Sequence, residues 1–259
     1  MLAVQAIWDE TVALLRAEAK LLIPVALATM LIGDVIATLA QPGLRAGEPV
    51  ANFMTLLALL LSVLGQLAII ALVLRPGLSV GEALSLAARR LPRVLLIGLT
   101  VGLAAVVALL PPIVALRDTG FDLQVPESYQ SLPAWALLWF SVFGVVALWV
   151  AVRLSTMNAL VVDRAPGVLA ALRSAFAMTR GATLRLLGVF ALYLAVVWVV
   201  SSVVRFVFGS AFRIVGQGLG SDFSGTVMFA LVSGLVSAAF STVATVFLAL
   251  VYRSLSKGM

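Results

Sequence analysis

The most conspicuous reactive group in this sequence is a carboxylic acid inside a long apolar stretch. Asp34 is the sole charged residue between Lys20 and Arg45. Placing an ionisable side chain within a membrane costs about 2.5–3.5 kcal/mol, so such a residue often marks proton or cation coupling. In the alternative, Asp34 lies near the outer mouth and pairs with Arg205 or an outer-loop arginine, or it stays protonated. Gln66 and Arg205 complete the candidate intramembrane polar site.

The composition argues against catalysis. The chain contains neither histidine nor cysteine, which excludes Ser-His and Cys-His nucleophiles, thiolate chemistry and imidazole–zinc sites. The hydroxyls of Ser233, Ser237 and Ser241 recur at helical spacing, but no histidine is present to activate them. We therefore predict a protein that is not an enzyme and that has no catalytic residue, no cofactor and no metal.

Small residues predict two places where helices approach each other closely. Helices associate in lipid through close packing, which small side chains allow. One group forms a G-x-x-x-G pattern and the other repeats every four residues near the C-terminus. Packing is the favoured interpretation of the hydroxyl groups, and a polar stripe lining a water path is the alternative. The predicted seam residues are Gly98, Gly102, Ser233, Gly234, Ser237, Ser241 and Thr245.

The overall composition requires a membrane. Hydrophobic residues make up 63% of the 259 residues and charged residues 11%, with a mean hydropathy of +1.18. A soluble domain of this size carries about 25% charged residues on its surface. A helix that crosses about 30 Å of hydrocarbon needs about 20 apolar residues. Six stretches qualify, and we predict spans at residues 21–42, 53–74, 94–116, 133–154, 185–205 and 226–252.

The distribution of basic residues predicts the orientation. With six spans, both termini lie on one side, and 13 of the 17 lysine and arginine residues fall on that side. Short cytoplasmic loops carry the excess of lysine and arginine, so we expect both termini in the cytoplasm of a bacterium and the spans in its inner membrane. The basic surface faces anionic lipid headgroups, and nucleic acid is not an expected partner.

Three segments on the basic side have the pattern of amphipathic helices: residues 1–20, 79–91 and 166–180. Ser79 and Glu82 match a capping box, which predicts a helix start at that point. Each amphipathic segment precedes a pair of spans. The three units begin near residues 2, 79 and 166 and suggest a threefold repeat, although any alternation of basic loops and spans gives a similar pattern. The expected fold is an all-α membrane protein with three cytoplasmic interfacial helices.

One segment resembles a known family. The sequence ALRSAFAMTRG at residues 171–181, followed by LRLLG at 184–188, is similar to a recurring segment of membrane proteins of the glycerophosphoryl diester phosphodiesterase membrane-domain family. In that family, a short cytoplasmic helix with a Thr-Arg-Gly-like turn leads into a span. The resemblance implies a six-span membrane domain of that family. Because this chain has no phosphodiesterase domain, the resemblance does not imply the enzymatic activity.

Two functions follow from these patterns. The favoured one is a non-enzymatic inner-membrane protein that organises lipid or partner proteins through its basic helices and small-residue seams, with a homo-oligomer or a membrane-protein partner as an option. The rival is a transporter or channel component that uses Asp34 and the serine stripe. The basic side chains bind anionic headgroups, or they only fix topology and snorkel to the interface. The candidate lipid contacts are Arg89, Arg90, Arg93, Arg173, Arg180 and Arg185.

Overall fold

The chain folds into helices throughout the part that the structure describes. This structure is a computed structural model, and it describes residues 4–116, 132–164, 167–218 and 220–256. Six helical stretches in these ranges are long and apolar enough to span a membrane. The predicted all-α, six-span fold is therefore confirmed, and the chain is a multi-pass membrane protein.

The helices are numbered in chain order, and the first span is assembled from three pieces. These are α2 (Ala19–Val25), a π-helical segment (Ala26–Leu31) and α3 (Ile32–Arg45). The other helices are α1 (Val4–Ala17), α4 (Pro49–Leu74), α5 (Val80–Leu116), α6 (Ala134–Leu154), α7 (Met157–Arg164), α8 (Val168–Thr179), α9 (Thr183–Gly218) and α10 (Asp222–Ser256).

The centre of the bundle consists of the first span, α4 and α10. Two glycines bring the first span and α4 into close contact. A Cβ atom on Gly65 would lie 2.1 Å from Thr29 Oγ1, and one on Gly33 would lie 2.9 Å from the carbonyl oxygen of Ala58. Such approaches are the small-residue contacts through which helices associate in lipid. They fix the rotation of the first span against α4.

The π-helical segment lies inside this packed centre. Thr29 is buried, and its hydroxyl group donates to the carbonyl oxygen of Val25 at 2.6 Å. Met30 lies against α10, where Thr242 Oγ1 is 3.7 Å from its sulfur atom. A π segment widens a helix locally and changes which side chains face a neighbour. Asp34 follows one turn later, at the start of α3.

The end of the bundle that holds α1 and the last turns of α10 is closed by short helices. The Trp8 ring of α1 lies 6.4 Å from the Phe247 ring of α10, and Glu10 forms an ion pair with Arg253. The fully buried Tyr252 donates its hydroxyl hydrogen bond to Asp163 of α7 at 2.7 Å. We call this end the terminal end and the opposite one the distal end. The helix α1 and the last turns of α10 lie at the same end, as an even number of spans requires.

The predicted capping box is confirmed. The Ser79 backbone N–H donates to the Glu82 carboxylate at 2.8 Å, and the Glu82 N–H donates to Ser79 Oγ at 3.3 Å. Glu82 lies outside the membrane-spanning part of its helix, and the hydrogen bonds from the Ser79 backbone and hydroxyl group lower the pKa of its carboxyl group. These contacts satisfy backbone donors at the start of α5.

Three helices are longer than the sequence patterns predicted. The helix α5 has 37 residues and continues from the amphipathic segment into the span without a break, through Pro92. The helices α9 and α10 have 36 and 35 residues, so the segment after residue 205 is helix and not loop. Each of the three is about 50–55 Å long, which exceeds a hydrocarbon core of about 30 Å. A change from polar to apolar pattern can occur along one helix and does not have to end it.

The three predicted units are not packed alike. In the first, α3 and α4 pack along their length, and α9 and α10 do the same in the third. In the second, α5 and α6 touch sparsely within the described ranges. The amphipathic parts are present as α1, the first turns of α5, and α8, while Pro166 lies outside the described residues. The threefold repeat stays a prediction.

Candidate functional site

A cleft opens where α9 and α10 separate. At the distal end the two helices touch through glycines, because a Cβ atom on Gly225 would lie 2.4 Å from the carbonyl oxygen of Phe212. Closer to the terminal end, Tyr193 donates a hydrogen bond to the carbonyl oxygen of Phe240 at 3.0 Å. Between these contacts the helices diverge, and α3 forms a third wall. The cleft is therefore held open by contacts above and below it.

The cleft has two chambers, both of which are lined by Arg205, Arg213 and Phe229. The lower chamber has a volume of about 630 Å³ and is bounded by α3, α9 and α10. The upper chamber has a volume of about 840 Å³ and lies between α9 and α10, on the distal side. The lower chamber is further lined by Asp34, Ala37, Thr38, Gln41, Ser201, Val204, Ser233, Gly234, Val236 and Ser237. The upper one is further lined by Phe206, Gly209, Ser210, Ile214, Gln217, Gly225 and Thr226.

The charges of the cleft do not cancel. Asp34 is half-buried at the base, and the side chain of Ser237 lies next to its carboxyl group. Arg205 and Arg213 are exposed on α9. Within the described ranges neither arginine forms an ion pair with Asp34 at 4.0 Å or less. Two guanidinium groups and one carboxyl group therefore face an open volume. No group of three acidic side chains that could hold a metal ion occurs in the same ranges.

The floor of the cleft is closed toward the terminal end. A Cβ atom on Gly234 would lie 2.9 Å from Leu31 Cδ1, so α10 rests directly on the first span beside Asp34. Ala238, Thr242 and Thr245 follow on α10 and are buried. Among the described residues, the cleft is therefore closed toward the terminal end by the packing of α10 on the first span.

No family model, curated protein or solved structure matches this chain. The family resemblance at residues 171–188 therefore stays a prediction, and the function has to be argued from the geometry.

The structure brings together only part of the predicted polar site. Asp34 and Arg205 line the same chamber, whereas Gln66 is half-buried on α4 and is not among the residues that line it. Sequence analysis missed Arg213, Thr38 and Gln41. Arg213 lies eight residues after Arg205, and this spacing becomes informative only if α9 continues past residue 205. Because we expected the span to end at residue 205, we did not place Arg213 on the same helix as Arg205.

The predicted seams have different environments. Gly234 packs against the first span, Ser233 and Ser237 line the cleft, Ser241 is half-buried and Thr245 is buried. The hydroxyls at 233 and 237 therefore face the cleft, as in the polar-stripe alternative. A Cβ atom on Gly98 or Gly102 would meet no atom within 4 Å. Within the described residues these two glycines do not form an intramolecular helix contact, and their use between molecules is untested.

The six candidate lipid-binding arginines lie at or near the terminal ends of α5, α8 and α9. Five are exposed, and Arg90 is half-buried. Sequence analysis did not assign a role to Arg153, which joins α6 to α8. Its guanidinium carbon is 4.8 Å from the Trp149 ring centroid and 5.7 Å from that of Phe176, and Nη1 donates to the Phe176 carbonyl oxygen at 2.9 Å. The Thr179 hydroxyl donates back to the Arg153 carbonyl oxygen at 3.3 Å.

Proposed function

We propose that this protein is a non-enzymatic membrane protein of a bacterial inner membrane that binds a ligand in the cleft between α3, α9 and α10. The single observation that carries the proposal is the cleft itself, a polar cavity that reaches Asp34 beside two arginines that form no ion pair with an acidic residue in the described ranges. A bundle with a purely structural role gains nothing from polar groups around an open volume, since unpaired polar groups in lipid are costly.

The proposal includes an orientation. The excess of basic residues on the side of the termini favours the cytoplasm for the terminal end. Entry from the cytoplasmic side is then disfavoured, because the floor of the cleft toward the terminal end is packed. A closed floor disfavours a channel. A transporter would need a second state in which the first span and α10 separate.

A second function is supported by the terminal end. Six arginines lie near the ends of three helices at that face, and most are exposed. Each adds about 1 kcal/mol of attraction to an anionic membrane surface. The protein would then organise anionic lipid or a partner protein on the cytoplasmic side. We also propose that the chain is a member of the glycerophosphoryl diester phosphodiesterase membrane-domain family, because the segment that resembles this family, residues 171–188, lies at this end.

The first prediction is that the cleft is open to water from outside. The chain has no cysteine, so single-cysteine variants report position without interference. In right-side-out vesicles, we expect an impermeant maleimide to label Ser237→Cys at a rate similar to that of Asn52→Cys, which lies at the distal start of α4. Ala238→Cys, one residue further and buried, should react about tenfold more slowly.

The same variants can also contradict the proposed function. If Asn52→Cys is labelled and Ser237→Cys is not, the cleft is closed and the proposed function is wrong.

Ligand binding is checked by native mass spectrometry of the mildly solubilised protein. Small molecules and lipids that wild type retains should be lost when Ser237→Trp fills the cleft, and should persist in Ser254→Trp at the terminal end.

A further inference from the structure

The level of the cleft in the membrane follows from residue positions along α9. Arg205 follows Arg185, in the first turn of the helix, by 20 residues. It therefore lies about 30 Å further along α9, which equals the thickness of the hydrocarbon core. Arg213, which lines the upper chamber with Gln217, lies about 12 Å beyond Arg205. The upper chamber is thus at the level of headgroups and water, where a water-soluble molecule can reach it.

Contacts between α9 and α10 give the order of the charged groups along the cleft. A Cβ atom on Gly209 would lie 3.6 Å from the Phe229 ring. Consecutive spans run in opposite directions, so Gly234, five residues further along α10, lies opposite a residue just before Arg205. A Cβ atom on Gly234 would lie 3.4 Å from the Asp34 Cβ atom. Asp34 is therefore slightly deeper in the membrane than Arg205.

The outer part of the cleft is suited to an anionic group. Arg205 and Arg213 line both chambers and form no ion pair with an acidic residue in the described ranges. Both side chains are long, so a group halfway between them is within reach of both. The planar guanidinium group binds a carboxylate through two parallel hydrogen bonds. An anion held there would lie about 6 Å further out than Arg205.

The base of the cleft is suited to a cation. Asp34 is half-buried there, with the side chain of Ser237 beside its carboxyl group and Ser233 in the same chamber. A primary ammonium group has three donors, and these three side chains offer oxygen acceptors. An anion at the base would be repelled by the Asp34 carboxylate. The cleft therefore suits a ligand that is positive at the base and negative further out.

The wall of the upper chamber is apolar. Phe206 is 79% exposed and Ile214 69%, and both line this chamber with Phe229. Exposed apolar surface marks contact with another apolar group, and an apolar side chain of a ligand would cover it. A phospholipid fits this order badly, because binding its headgroup near Asp34 would turn its hydrocarbon chain toward water.

The spacing of the charged positions selects the length of the ligand. The anion position is about 7–8 Å further along the cleft than Asp34. An extended chain advances at most about 3.3–3.6 Å per residue. A single amino acid is therefore too short, and two or three residues span the distance.

We infer that the cleft binds a linear peptide of two or three residues. Its N-terminal ammonium group lies at Asp34, its C-terminal carboxylate lies between Arg205 and Arg213, and an apolar side chain covers the wall of the upper chamber. This inference rests on the proposed function, because it names the class of ligand for the same cleft.

The test uses one tripeptide with its ends blocked in turn. Binding of Ala-Leu-Ala to wild-type protein in neutral detergent is measured by isothermal titration calorimetry, beside its N-acetylated form, its C-amidated form and free leucine. We expect each block to weaken binding by about tenfold or more, since each removes hydrogen bonds between charged groups. Free leucine should also bind more weakly, because its two charges are too close together.

Two variants assign each end of the peptide to its residues. In Asp34→Asn, acetylation should no longer weaken binding, while amidation keeps its effect. In Arg205→Gln/Arg213→Gln, amidation should lose its effect and acetylation should keep it. A variant that still responds to one block is folded, which separates a lost contact from a lost fold. Where a neutral variant binds too weakly to measure, Asp34→Glu and Arg205→Lys/Arg213→Lys keep the charges and should restore binding.

The matched control is Arg173→Gln/Arg180→Gln, which removes two exposed arginines at the terminal end and should respond to both blocks as wild type does. The inference is wrong if wild type binds a blocked form or free leucine as tightly as Ala-Leu-Ala, or binds none of them. It is also wrong if the cleft variants respond to both blocks, or if the charge-keeping variants do not restore binding. Labelling of Ser237→Cys shows separately whether the cleft is open, so failure of the peptide and failure of the proposed function are distinguished.

Discussion

Single glycines decide how closely the helices of this bundle approach. At Gly65 the side chain of Thr29 occupies the space that a Cβ atom would need, and at Gly225 a backbone carbonyl group does so. Neither glycine belongs to the seams that the sequence pattern indicated. Their importance comes from what lies opposite, which a single-chain pattern does not contain.

Replacing Gly65 by alanine should therefore be costly. The new methyl group would lie 2.1 Å from Thr29 Oγ1 in a buried contact, and overpacking of this kind destabilises by about 1–3 kcal/mol. We expect Gly65→Ala to lower the thermal unfolding midpoint of the purified protein. Gly144→Ala is the control, because a Cβ atom there meets nothing within 4 Å. Equal midpoints for the two variants would show that α4 and the first span do not pack as described.

At the level of elements, the short helices at the terminal end are tied to the spans by specific side chains. Arg153 connects α6 to α8 by stacking on Trp149 and Phe176 and by a hydrogen bond. Sequence analysis predicted α8 within a few residues and the start of α5 through its capping box. It did not predict α7, because the eight residues of this helix do not alternate between an apolar and a polar face in a way that marks an amphipathic helix.

Arg153→Lys should loosen α8 while leaving the charge in place. A lysine cannot stack its head group flat on two rings or reach the Phe176 carbonyl in the same way, and a cation–π contact is worth about 0.5–2 kcal/mol. We expect faster trypsin cleavage after Arg164, Arg173 or Arg180 in the detergent-solubilised protein. Arg89→Lys, at an exposed position on α5, serves as the comparison and should cleave at the wild-type rate. An unchanged cleavage pattern in Arg153→Lys would show that Arg153 does not hold α8 against α6.

For the whole molecule, the central prediction is which end faces the cytoplasm. The structure places α1 and the last turns of α10 at one end through their mutual contacts, and from the excess of basic residues we predict that this end faces the cytoplasm.

In spheroplasts, Asn52→Cys at the distal end should react with an impermeant maleimide before lysis. Ser254→Cys, which is exposed on the last turn of α10, should react only after the membrane is permeabilised. The cysteine-free wild type provides the background. The reverse pattern would invert the proposed topology and would place the opening of the cleft in the cytoplasm.

The amino-acid sequence by itself determined the membrane class, the six spans, the capping box at Ser79 and the presence of both termini on one side. These properties depend on local hydrophobicity, charge and chain order, which the sequence contains directly. Only the tertiary structure decided that Asp34, Arg205 and Arg213 line one cleft and that Gly98 and Gly102 face outward within the described residues. Asp34 and Arg205 are 171 positions apart, and the lateral arrangement of helices in lipid depends on side-chain shape across interfaces, which hydropathy does not record.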